Sequence, residues 1–96
     1  VAHFGADVPL QRVGQPEERA LRLREQTNAG AWRLLGIAQG RDGLEGVSNL
    51  SLAEYALLIG KQEDARLYAR RAEARMEPSD PAWLRLQDVL RVIDES

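Results

Sequence analysis

The chain has 96 residues, 44% of them apolar and 29% charged, a balance that fits one globular domain and excludes intrinsic disorder. Its net charge of -2 gives no electrostatic case for nucleic acid, and no apolar run approaches the ~20 residues of a membrane span. With no cysteine, disulfides, thiol catalysis and Cys-based metal sites are excluded.

Residues 1–15, "VAHFGADVPLQRVGQ", show no period and carry Gly5, Pro9 and Gly14, so they read as an irregular lead-in to a helical domain over 16–96. The start at Val1, with no leader-like segment, reads as a piece of a longer chain. Pro16 suits a first helical turn, and Glu17 and Glu18 suit the positive end of a helix dipole. The spacing of Ala20, Leu21 and Leu23 predicts a helix with a narrow apolar stripe ending near residue 28. Asn28 is placed to cap a second helix, from 29 to about 39, closed by "GRDG". The segment "LEGVSNLSLAEYALLIG" is the most apolar in the chain, and its third helix, from Val47, is expected to be covered on more than one side. Gly60 fits a helix C-terminus.

In the next helix, "QEDARLYARRAEARM", Ala65, Ala69, Ala72 and Met76 share one face. Arg66, Arg70, Arg71 and Arg75 lie outside, near enough to Glu63 and Glu73 for ion pairs at helical spacing. Asp80 then reads as an N-cap with Pro81 behind it. A final helix over "AWLRLQDVLRVI" presents Trp83, Leu86, Leu90 and Ile93. No strand signal competes, so the expected fold is all-α, with about five helices.

Internal repetition separates a bundle from a solenoid. In a 34-residue frame with Gly60 at position 15, Leu52 falls at 7, Ala53 at 8, Ala56 at 11, Ala65 at 20, Ala69 at 24 and Ala72 at 27. Trp83 and Leu86 fall at 4 and 7 of the next unit, although Gln87 departs from the small residue expected at 8. Trp32, Leu35, Gly36 and Gly43 fit the same pattern in a second frame. The two frames differ because Trp32 and Trp83 stand one and a half repeats apart. Either the first unit is irregular, or the helix from Val47 serves two units, which is the more economical reading. Gly36 costs roughly 1 kcal/mol inside a helix relative to Ala, so its place predicts close approach of a neighbouring helix.

This pattern resembles the tetratricopeptide repeat (W-x2-L-G-x2-Y, followed by G, A and A), over about residues 28–93. The resemblance implies a short superhelix of antiparallel helix pairs whose concave groove binds a peptide or partner protein. On the family pattern the groove residues are Arg33, Ile37 and Arg41, then Leu50, Glu54 and Leu57, then Leu84, Asp88 and Arg91. The basic clamp that some members use for a C-terminal carboxylate is absent, since Ile37 and Glu54 stand where its Asn residues are expected. More narrowly, "AWRLLGIAQGRDG", the "LAEY" helix and the closing "DPAW" helix resemble the C-terminal repeat region of bacterial zinc metalloproteases of the beta-barrel assembly-enhancing type. That resemblance implies a periplasmic setting and a catalytic H-E-x-x-H domain elsewhere in the parent protein.

No catalytic residue carries over to this chain. Its one histidine, His3, has no Glu or second His at ligand spacing, and the spaced glycines match neither dinucleotide nor P-loop motifs. The segment is expected to be non-catalytic, with neither cofactor nor metal. A stand-alone adaptor is the alternative function. Pairing of two copies is a further one, because repeat arrays usually need about three units with capped ends and this chain holds roughly two.

Overall fold

The computed structural model describes residues 16–95; the lead-in over 1–15, with His3, lies outside them. Four helices follow in order: α1 (Pro16–Arg41), α2 (Glu45–Leu58), α3 (Gln62–Ala74) and α4 (Trp83–Asp94). The described residues contain no strand. The described residues are therefore all-α, and they hold four helices.

The two helices expected before residue 40 are one continuous helix. Asn28 stands in its middle and caps nothing. The physical reason is that Thr27, Asn28 and Gly30 are only weak helix breakers, each costing a fraction of a kcal/mol to about 1 kcal/mol. Without a proline, every backbone hydrogen bond across them can still form. At 1.5 Å per residue α1 runs roughly 39 Å. Only Ala29 and Gly36 along it are buried. The other bounds move by a turn or less: α2 begins at Glu45 and not Val47, and α3 ends before Met76. Asp80 caps the turn that leads into α4, its Oδ1 accepting from the Ala82 N–H at 2.8 Å, while the helix itself starts at Trp83.

Two turns set the architecture, and they are the same turn. Gly43 and Gly60 both have φ of +80°, a left-handed conformation that glycine adopts without a Cβ penalty. The Leu44 N–H donates to the Gln39 carbonyl at 2.9 Å, and the Gly43 N–H to the Gly40 carbonyl at 3.1 Å. In the second turn the Lys61 N–H donates to the Ala56 carbonyl at 2.9 Å, and the Gly60 N–H to the Leu57 carbonyl at 3.2 Å. Both are Schellman closures that satisfy the last helical carbonyls. Every atom pair in the second is the first displaced by 17 residues.

Each turn folds the chain into an antiparallel hairpin, and α2 belongs to both. Its two sides are buried accordingly: Ser48, Ser51, Leu50, Ala53 and Ala56 are all covered. Against α1, Gly36 allows close approach. A Cβ on it would sit 3.0 Å from Leu52 Cγ and 3.2 Å from the Ser48 carbonyl. The Ser48 hydroxyl donates to the Gly36 carbonyl at 2.6 Å, and the Ser51 hydroxyl to Gln39 Oε1 at 2.7 Å. Against α3 the seam is dry and built from Ala53, Ala56, Ala65, Ala69 and Ala72. The face expected on α3 is thus the buried one. Below it, Leu86, Val89, Leu90 and Ile93 of α4 complete the core, with Trp83 packed at its edge.

Helices contact their neighbours in sequence, and α4 also touches α2. The molecule measures 65 × 29 × 20 Å with a radius of gyration of 18.4 Å, against about 12 Å for a compact domain of this length. The elongation comes from α1, whose residues 16–28 are exposed throughout.

Candidate functional site

Three helices that are far apart in sequence meet at one side chain. Arg85, on the first turn of α4, lays its guanidinium over the Trp32 ring of α1, 5.2 Å from the ring centroid. Its Nε donates to Glu54 Oε2 on α2. The Glu54 side chain is only 12% exposed while Arg85 remains half open. The carboxylate is therefore held inside the surface and the guanidinium covers it. A cation over an aromatic face contributes roughly 0.5–1 kcal/mol at exposed sites, and sharing the cation with a shielded carboxylate orients it further.

Beside this arrangement lies a cleft of about 230 Å³ lined by Glu54, Leu57, Arg85, Asp88, Val89 and Val92. Helical periodicity explains its floor, because Arg85, Asp88 or Val89, and Val92 recur every three to four residues along one face of α4. Leu57, half-buried, adds the α2 wall. At the rim Arg91 donates to Asp88 Oδ1 at 2.8 Å. The cleft is thus an open pit with an apolar floor and charges of both signs around it. It contains no nucleophile paired with a base.

Of the nine groove residues expected from sequence, the structure gathers Glu54, Leu57 and Asp88 around this cleft. Leu50 belongs to the core instead, because it points between α2 and its neighbours. Leu84 is 77% exposed and stands outside the lining, and Arg91 lies at the rim through Asp88. On α1, Arg33 and Arg41 are exposed and Ile37 is half-buried, and none of them reaches the cleft.

Among the positions read as structural, Ala53, Ala65, Ala72 and Leu86 are fully buried. Gly36 is buried, Gly60 holds its turn, Leu52 covers Gly36, and Trp32 meets Arg85. Leu35 is nearly half exposed. Arg85, Val89 and Val92 were not singled out in the sequence. Their signal was the three-to-four spacing on α4, on a face about one residue over from the one the repeat pattern selects.

Two other hollows lie elsewhere on the described surface. One of about 270 Å³ lies between α1 and the end of α2, lined by Arg22, Glu25, Gln26, Ala29, Leu58 and Ile59. Another, of about 420 Å³, lies between α3 and α4 and is mainly charged, with Arg70 4.0 Å from Asp94 across it. Among the described residues no group of His, Asp or Glu is arranged to hold a metal ion. No helix among them is long and apolar enough to cross a membrane. No protein-family model, curated protein or solved structure matches the chain.

Proposed function

We propose that this chain is a non-catalytic protein-interaction module of the tetratricopeptide type, which binds a partner peptide or protein in the cleft between α2 and α4. The observation that carries this reading is the Trp32–Arg85–Glu54 arrangement. It holds three helices to a common face beside an apolar pit and keeps the rim charges in place before any partner arrives, which lowers the ordering cost of binding. An aliphatic side chain of the partner fits the Leu57, Val89 and Val92 floor. The parent protein, on the resemblance of the "AWRLLGIAQGRDG" and "DPAW" segments, is a zinc-dependent peptidase of the bacterial cell envelope. In that reading this module is its periplasmic partner-contacting region.

The test is capture from bacterial envelope extract by the wild-type chain, a Val92→Glu variant and a Leu67→Glu variant on the outer face of α3. Both positions are well exposed, so both variants keep their helical circular dichroism. A partner lost with Val92→Glu and kept with Leu67→Glu supports the cleft, and the reverse pattern overturns it. Coding sequence for an H-E-x-x-H domain upstream of Val1 supports the peptidase assignment; a start codon in its place removes that part alone.

A further inference from the structure

The helix register that builds the array also marks a face that no described residue covers. On α2, Ser48 and Leu52 receive the preceding helix. The 17-residue displacement puts Ala65 and Ala69 in that role on α3, and both are fully buried. The same displacement puts Ala31 and Leu35 in that role on α1. There Ala31 is exposed and Leu35 is 44% exposed. Leu23 and Leu34, at 63% and 65%, broaden this face along one edge. At about 100° per residue, it lies roughly opposite the Ala29, Gly36 and Gly40 side that meets α2.

We propose that this outer face of α1 is the interface of a two-fold symmetric dimer, in which the α1 helices of two copies pack antiparallel with Glu17 of each protomer beside Arg41 of its partner. An interface of this kind must be complementary to itself, and the pattern on α1 has that property. Pairing centred at the level of Ala29 sets Thr27 against Ala31 and brings Leu23 level with Leu35, one on each edge of the interface. Leu34 then covers the aliphatic stem of Arg24, as long cationic side chains permit. The ends match by charge: the first turn of α1 is acidic and its last turn carries Arg41. A foreign helix would impose no such symmetry on the sequence. Antiparallel packing also sets opposite helix dipoles side by side, as both hairpins of the chain already do. The proposal does not rest on the cleft reading, because it uses the other side of α1.

Light scattering of the full 96-residue chain across a concentration series tests it. The mass is expected to rise from 10.7 kDa toward twice that value. Leu34→Glu should weaken association by at least about tenfold, the scale of a central interface residue, and leave circular dichroism unchanged. Glu17→Arg alone sets like charges against Arg41, and Arg41→Glu alone sets like charges against Glu17, so each weakens self-association. Mixing those two variants restores opposite charges at both ends and should give a mixed dimer in preference to either parent. A monomeric mass at every concentration overturns the proposal, as does a dimer indifferent to Leu34→Glu or a mixture without preference. Val92→Glu is expected to leave the dimer mass unchanged, so failure of the cleft and failure of this interface are read separately.

Discussion

Between α1 and α2 the helices meet over Gly36 and Gly40, with Leu52 filling the space above Gly36 and the Ser48 hydroxyl tied to its carbonyl. Between α2 and α3 the same turn closes a seam of alanines, and the Arg75 guanidinium pairs with Glu45 at its far end. The 17-residue displacement makes the comparison residue by residue: Gly36 corresponds to Ala53, Leu52 to Ala69, and Ser48 to Ala65. One hairpin pairs the smallest residue with a large one, and the other pairs two small ones. Close approach is thus reached in two ways over the same turn, by a glycine that leaves room for a large neighbour or by two small residues that leave little to fill.

The sharpest way to break this correspondence is Ala69→Leu, which puts the residue of the first hairpin into the second without its glycine. Ala69 is fully buried, so overpacking should cost about 1–3 kcal/mol, read as a drop in urea midpoint. Adding Ala53→Gly should recover part of that loss despite the helix cost of glycine, because the pair then repeats the Gly36 and Leu52 solution. Strict additivity of the two changes would refute the volume argument.

Gly46→Ala comes next. A Cβ there would lie 2.5 Å from Met76 Cγ and 3.0 Å from the Arg75 carbonyl, so the loss should be about 1–2 kcal/mol after the gain in helix propensity. Ser48→Ala converts the polar seam to the residue the dry seam carries. It removes one buried hydroxyl bond and should cost about 0.5–1 kcal/mol in thermal or urea melts. Smallest is Gly30→Ala, where no atom outside the glycine's immediate neighbours lies within 4 Å. Stability there should rise by up to about 1 kcal/mol, and a loss would show that α1 needs its glycine for something other than α2.

How far the sequence could be read follows the strength of each local signal. The Gly43 and Gly60 turns, the buried Ala65, Ala69 and Ala72 face and the Leu86, Leu90 and Ile93 face were all legible, because left-handed turns and helical spacing act over a few residues. The break at Asn28 was misread, since a cap-forming residue also sits in a helix interior at small cost when nothing forces a stop. Within the candidate site, Glu54, Leu57 and Asp88 came from the repeat pattern, but Arg85 did not. Its role depends on Trp32 and Glu54, 53 and 31 positions earlier in the chain, and no local period encodes that meeting.

The sequence alone determined that this chain is helical, where its glycine turns fall, and which alanines are inside. Those outcomes rest on backbone sterics and on hydrophobic periodicity, both local. Tertiary structure decided that α1 runs unbroken past the body of the array, that α2 is shared between two hairpins, and that Arg85 bridges α1, α2 and α4. These depend on which surfaces remain after the hairpins close, a sum over contacts distant in sequence.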